Sequence, residues 1–372
     1  MLTNAHTRIR LEDARTVLKL SPQNYDVIVS EPSNPWFASI GSVFSRQFYE
    51  IAAARLRPGG LMVQWFHVYE MHDGIVDLVL RTFQSVFPVV EIWDTNAGDI
   101  ILIGSAGPWN YSLESLRRAY GRELVRQDLA SIGLSTPEAL LARQFASQRT
   151  AFAIAGSGPI QSDGFPVLEY EAPLAFYIGT IASKIARFDE RTWQSGFVSA
   201  EKRNALVKLS DESLRAAFTN STINAELGRA LASRLQPRRT NSPAASGGPA
   251  SAIPCLFKVE MVPVEDQFPA KASDELKELF RARAALQRGD GDCAEPVQTI
   301  RRILVGQLAA SAKRPLDKSG GHFAGVAARA CMINRQFGLA KEMLSLGFKF
   351  FPDEPELGFL ARLLEREAGG KG

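Results

Sequence analysis

Apolar positions in the first hundred residues fall into two kinds of run. Residues 25–31 (YDVIVSE), 61–66 (LMVQWF), 89–93 (VVEIW) and 99–105 (DIILIGS) are short and rich in Val, Ile and Leu. Such runs fit strands covered on both faces. Residues 8–12 (RIRLE) read as a further short strand ending at Asp13. Between these runs, 44–57 places Phe44, Phe48, Ile51, Ala52 and Leu56 at helical spacing, and a second helix is expected at 73–86. Pro58-Gly59-Gly60 closes the first helix, because proline cannot continue it and glycine accepts positive φ. Thr95-Asn96-Ala97-Gly98 has the chemistry of a hairpin turn. Strands alternating with helices, then a hairpin, predict an α/β fold with a mostly parallel sheet and an antiparallel terminal hairpin.

The rest of the chain reads as helical. Residues 111–150 look helical, 151–180 hold the string SDGFPVLEYEAP, and a further helical stretch covers 200–235. Residues 238–254 (RRTNSPAASGGPASAIP) lack periodicity and read as a flexible linker. Beyond it, 273–290, 294–313, 322–335, 337–351 and 354–368 read as successive helices. The expected domains are therefore 1–110 (α/β), 111–235 (a helical extension including SDGFPVLEYEAP), 236–254 (linker) and 255–372 (an all-helical region).

Composition narrows the function classes. The 372 residues are 45% hydrophobic and 22% charged, as in ordinary globular proteins, which excludes disordered and collagen-like chains. Lys+Arg 43 against Asp+Glu 40 leaves +3, so nothing points to nucleic acid. There is no run of 18 apolar residues and no apolar signal region at the N-terminus. Cys255, Cys293 and Cys331 are odd in number and far apart, which reads as a chain without a disulfide framework. A cytoplasmic location is expected, with membrane association if a membrane region lies upstream.

In open α/β sheets ligands lie outside the carboxyl ends of the strands. Those ends are Asp13, Glu31-Pro32-Ser33-Asn34 and Gln64-Trp65-Phe66-His67. Glu31 is a carboxylate followed by a proline-stiffened loop that cannot become helix, which suits a catalytic or amine-binding role for Glu31 and Asn34. The same string also fits a rigid turn in which Asn34 caps and Trp36 packs. Asp13-Ala14-Arg15 fits a contact to an exocyclic amine, or an N-cap for the helix TVLKL. His67, Glu70 and His72 do not have the HExxH spacing, and no metal site is expected.

The strings EDAR, YDVIVSEPSNPW, FSRQFYEIAAARLRPGGLMVQW and SDGFPVLEYEAP, in this order over about residues 1–180, resemble the spermidine synthase (polyamine aminopropyltransferase) family, in particular a bacterial branch whose synthase domain often follows a membrane-spanning region. The resemblance implies a methyltransferase-like, Rossmann-type, doubly wound sheet. It implies aminopropyl transfer from decarboxylated S-adenosylmethionine, as co-substrate, to a primary amine such as putrescine, with no metal or other cofactor. By position, Asp13 and Ala14 match the pair at the adenine, Glu31 the general base and amine ligand, Asn34 a second amine-binding acid, and Gln64 the end of the next strand. Glu31 is one methylene longer than the family's Asp, and Asn34 carries no charge, so the acceptor is expected to differ from the classical one.

The resemblance also implies a glycine-rich turn and a ribose-binding acid, and neither occurs in the twelve residues before Asp13. The implied strand order is 3-2-1-4-5-7-6, and the chain reads as starting at strand 3. The expectation is a chain with weak or no turnover alone, in which 8–12 either pairs directly with 25–31 or leaves 25–31 as an exposed edge. Self-association or a requirement for a missing half follows from that.

Residues 321–354 resemble one tetratricopeptide-like helix pair, with Ala328, Ala340, Gly347 and Pro352 at small-residue and terminating positions. An ordinary helical hairpin reads equally well there. Two rival functions stay open: a non-catalytic interaction protein that binds a partner through the C-terminal helices, and an S-adenosylmethionine-dependent methyltransferase-like enzyme with another acceptor.

Overall fold

The structure is a computed structural model that describes residues 7–95, 98–141, 143–182, 184–188, 272–288, 293–309 and 320–369. Its elements open with α1 (Ala14–Leu20), β1 (Tyr25–Ser30), α2 (Arg46–Arg55), β2 (Leu56–His67), α3 (Asp73–Gln84), β3 (Val89–Asp94) and β4 (Asp99–Ser105). Then come α4 (Leu113–Tyr120), α5 (Glu123–Ser131), α6 (Pro137–Leu141), β5 (Gln144–Ala146), α7 (Ala151–Ile154) and α8 (Val167–Ile178). The C-terminal helices are α9 (Asp274–Arg288), α10 (Ala294–Ala309), α11 (Gly320–Ile333), α12 (Phe337–Phe350) and α13 (Pro355–Gly369). Two compact units form, Met1–Asn110 with Ala155–Ser183, and Tyr111–Ile154 with Lys184–Gly372. The helix expected at 200–235 and the linker at 236–254 lie outside the described residues.

In the first unit the strands lie in the order β1-β2-β4-β3. β1 and β2 are parallel, with Ser30 opposite Gln64. β4 is antiparallel to both β2 and β3. Three of these four strands therefore share one direction and the reversed one lies between two of them. This is the α/β arrangement that the pattern predicts, and its order is that of strands 4-5-7-6 in the implied sheet.

Two local expectations are corrected. Residues 8–12 form no strand. Ile9 is 57% and Leu11 97% exposed, so no packing offsets the ordering cost of a strand there. Asp13 accordingly ends no strand but caps α1, its side chain accepting from Thr16 N at 2.7 Å. Pro58-Gly59-Gly60 does not separate helix from strand either. β2 already starts at Leu56, and the three residues form an irregularity in its pairing with β1, with Gly59 at φ 77°. The glycine supplies the left-handed conformation that such a bulge needs.

The core of this unit lies between the sheet and α2 and α3. Residues alternate across a strand, so Met62, Gln64 and Phe66 share one face of β2, and all three are fully buried. Phe44 meets Phe66 edge-on at 5.5 Å, and Tyr49 meets Phe83 at 5.1 Å. A Cβ on Gly104 of β4 would come 2.5 Å from Phe83, so only glycine lets α3 pack this closely. Gln161, 1% exposed, ties the segment SDGFPVLEYEAP to that core. Its amide accepts from Leu168 N and donates to Gly41 O, while its backbone N donates to Thr82 Oγ1 and its carbonyl accepts from Arg46 N.

β1 is the outermost strand of this sheet, and Val27 and Val29 are 49% and 66% exposed. Of the two expected outcomes for this strand, the exposed edge is the one observed among the described residues.

In the second unit α9 to α13 form the helical C-terminal region. Small residues let helices approach: Gly347 of α12 lies against Ala324 of α11 and Leu357 of α13. Arg329 and Glu356 form a buried ion pair between α11 and α13. Cys293 is disulfide-bonded, which corrects the reading of a chain without disulfides, and Cys331 is a buried free thiol. Among the described residues, no helix is long and apolar enough to cross a membrane.

Candidate functional site

Glu31 follows the last residue of β1, and Ser30 pairs with Gln64 near the end of β2. Both residues therefore come to the same edge of the sheet. Pro32 and Pro35 bar helix formation in between, and the chain turns back with Phe37 N donating to Asn34 O at 3.1 Å. Glu31 is exposed, and Asn34 is half-buried. Gln64 is fully buried, its Nε2 donating to Ser30 O at 3.3 Å and Trp65 O at 2.9 Å. The amide thus clamps the end of β1 to β2, and its Oε1 has no partner.

The opposite face of β2 carries Trp65 and His67, and there the register places His67 opposite Asp99 of β4. His67 is fully buried. Its Nδ1 lies 2.8 Å from the Tyr69 carbonyl and must donate to it, which leaves Nε2 an acceptor without a partner. Burial holds the imidazole neutral by lowering its pKa to about 4, against a small opposing effect of the Tyr69 bond.

Aromatic rings surround His67. Tyr69 stacks on it at 4.3 Å, Trp36 meets it edge-on at 5.2 Å, and Trp65 lies at 5.2 Å. Trp36 in turn stacks on Phe176 of α8 at 4.6 Å. Two further contacts hold α8 here: Glu169 accepts from Ser39 N at 3.0 Å, and Glu171 lies 3.3 Å from His72 Nε2.

The polar groups of this cluster act on one another. Burial raises the Asp99 carboxyl, hydrogen bonding from Tyr69 and Trp65 lowers it, and the charge of Glu31 raises it again. Burial raises the Tyr69 hydroxyl, Asp99 adds to that, and Asn34 works the other way. Glu31, Asn34, Tyr69 and Asp99 are therefore one electrostatic group beside an aromatic wall. Such a setting suits a cationic amine: carboxylates attract it, and ring faces tolerate it where water is scarce.

Asp13 and Ala14 are exposed at the start of α1, where Asp13 caps the helix. Arg15 instead ion-pairs with Asp163. Among the described residues, no group of three or more His, Cys, Asp or Glu is placed to hold a metal ion. Sequence reasoning singled out Glu31, Asn34 and Gln64 but missed Tyr69, Asp99 and Phe176. The pairing of β2 with β4 was the signal for Asp99, since counting back along the ladder from Gln64 opposite Leu102 brings Asp99 to His67.

Residues 2–96 match the family model described as the spermine/spermidine synthase domain. A polyamine aminopropyltransferase 2 of Pseudomonas aeruginosa is 27% identical over 164 residues, covering 42% of this chain and 46% of that protein. A polyamine aminopropyltransferase of Moorella thermoacetica is 25% identical over 114 residues, covering 31% and 38%. The chain spans less than half the length of these curated relatives. The match to the domain includes Asp13, Ala14, Glu31, Asn34, Gln64, His67 and Tyr69; Asp99 and Phe176 lie beyond it.

Proposed function

We propose that the residues at the carboxyl ends of β1 and β2 bind the amine acceptor of an aminopropyl transfer from decarboxylated S-adenosylmethionine. The observation that carries this reading is Glu31 at the carboxyl end of β1, whose charge acts on Asp99, with Asp99 in turn coupled to Tyr69 beside the Trp36, His67 and Phe176 rings. The domain match and the two aminopropyltransferase relatives support it.

The chemistry assigns each group a part. The attacking nitrogen must be neutral. It forms a bond to the propyl carbon next to the sulfonium, the carbon–sulfur bond breaks, and methylthioadenosine leaves. The nitrogen then sheds a proton, which Glu31 accepts as general base. Asn34 orients the amine, and Gln64, on the opposite face of β2, holds the end of β1 in place. Asp13 and Ala14, carried over by position, face the adenine, and Asp13 does so alongside its capping bond.

Calorimetry with 5′-methylthioadenosine and with primary amines tests this reading. Binding of both, with amine binding or turnover reduced at least tenfold in Glu31→Gln, is the expected result. Absence of binding for both ligands would overturn it and favour an interaction protein, whereas methyl transfer from S-adenosylmethionine would favour the methyltransferase-like alternative.

A further inference from the structure

α12 and α13 are joined by residues 351–354, a connection short enough to set them antiparallel. Between them runs an open groove of about 570 Å³. Leu344 and Phe348 of α12 and Ala361, Leu364 and Ala368 of α13 form its apolar floor. Spacings of three and four residues put each set on one helix face. Ser345, Ala361 and Ala368 are small, so another backbone can approach closely there.

Charge is confined to the lips, with Lys341 and Lys349 on α12 and Glu365 on α13. All three are exposed. Among the described residues none of them forms an ion pair, and Glu342, the acid next to Lys341, is turned to Arg301 of α10. Lys349 lies eight residues after Lys341. At 1.5 Å per residue that is about 12 Å, or roughly two helical turns.

An apolar floor flanked by unpaired lysines fits an amphipathic helix whose apolar stripe enters the groove and whose acids meet α12. A second copy fits poorly. It would lay groove on groove, leave both floors unfilled, and bring together twice as many lysines as glutamates.

We propose that the α12–α13 groove is a docking site for an acidic amphipathic helix of a partner protein. Lys341 and Lys349 pair with its carboxylates, and the floor takes its apolar stripe. Glu365 repels an acid on the other lip, so it sets which flank of the helix faces α12.

Fluorescence anisotropy of the full chain with two labelled peptides of about 16 residues tests this. Both peptides carry the same stripe of leucine and alanine. One has glutamates eight residues apart on one flank, and the other has lysines at those positions. The wild type is expected to bind the glutamate peptide about tenfold or more tightly than the lysine peptide. Lys341→Glu combined with Lys349→Glu should reverse that order, and because both side chains are exposed the variant keeps the fold. Ser345→Trp, which fills the groove from an exposed position, should weaken the glutamate peptide about tenfold. Failure of the wild type to bind the glutamate peptide, equal affinity for the two peptides, or an order unchanged by the charge reversal overturns the proposal. Self-association in sedimentation that Ser345→Trp abolishes would assign the groove to a second copy and overturn it as well.

Discussion

His67 and Asp99 face each other across the antiparallel β2–β4 pair, one held neutral by burial and the other a carboxyl group whose pKa burial raises. Neither is fully satisfied by the protein, since His67 Nε2 and Asp99 Oδ1 lack partners.

The folded state holds His67 at about 4 against an ordinary 6.5. An unfolded chain therefore binds a proton here at a pH where the folded protein does not. The contribution of His67 to stability is complete above pH 6.5, declines as pH falls through the window down to about 4, and is gone below it. The full shift corresponds to roughly 3 kcal/mol. Urea melts of wild type and His67→Phe between pH 4 and 8 should differ in slope across that window. Parallel curves would show that the imidazole is not neutral when folded.

Asp13 has two readings that one substitution separates. Asparagine caps a helix about as well as aspartate, whereas Asp13→Ala removes a cap worth about 0.5–2 kcal/mol. Asp13→Asn is expected to melt like the wild type while weakening 5′-methylthioadenosine at least threefold. Unchanged nucleoside affinity in Asp13→Asn would leave Asp13 a cap and nothing more.

Gln161→Ala should be among the more damaging substitutions in the first unit. It strips partners from Leu168 N and Gly41 O, both at buried positions, at about 1–3 kcal/mol for each group left without a bond. Thermal unfolding measures the loss. A change under about 0.5 kcal/mol would mean that water replaces the amide there.

Gly347→Ala sets two effects against each other. Helix propensity favours alanine by about 1 kcal/mol. The added Cβ, however, would lie 2.8 Å from Leu357 and 2.9 Å from Ala324. Leu357 can rotate aside, but the Ala324 methyl cannot, so overpacking of about 1–3 kcal/mol should win. A stabilised variant, read by chemical denaturation, would contradict the close packing of α11 on α12.

The outermost strand carries its own liability. An edge with exposed Val27 and Val29 pairs readily with other chains, and a lysine on such an edge blocks that. Val29→Lys should reduce concentration-dependent association in sedimentation without lowering the melting temperature. Equal association of wild type and variant would place the contact elsewhere.

The order of elements in the first unit was legible in the residues themselves. Apolar runs at 25–31, 61–66, 89–93 and 99–105 and the helical spacing at 44–57 and 73–86 depend on local periodicity, which needs no partner to be read. Glu31 and Asn34 were legible for the same reason, because prolines mark the strand's end. Other features depend on contacts distant in sequence. Residues 8–12 alternate like a strand, yet a strand exists only when another backbone pairs with it, and none does among the described residues. Pro58-Gly59-Gly60 looks like an interruption, but the pairing of β1 with β2 turns it into a bulge. Asp99 sits in an ordinary hairpin until the register sets it opposite His67, and Phe176 reaches Trp36 only because α8 returns to the first unit. Local spacing determined the elements and the ends at which chemistry could occur; tertiary structure alone decided which side chains meet there, since pairing register and burial are properties of segments far apart in the chain.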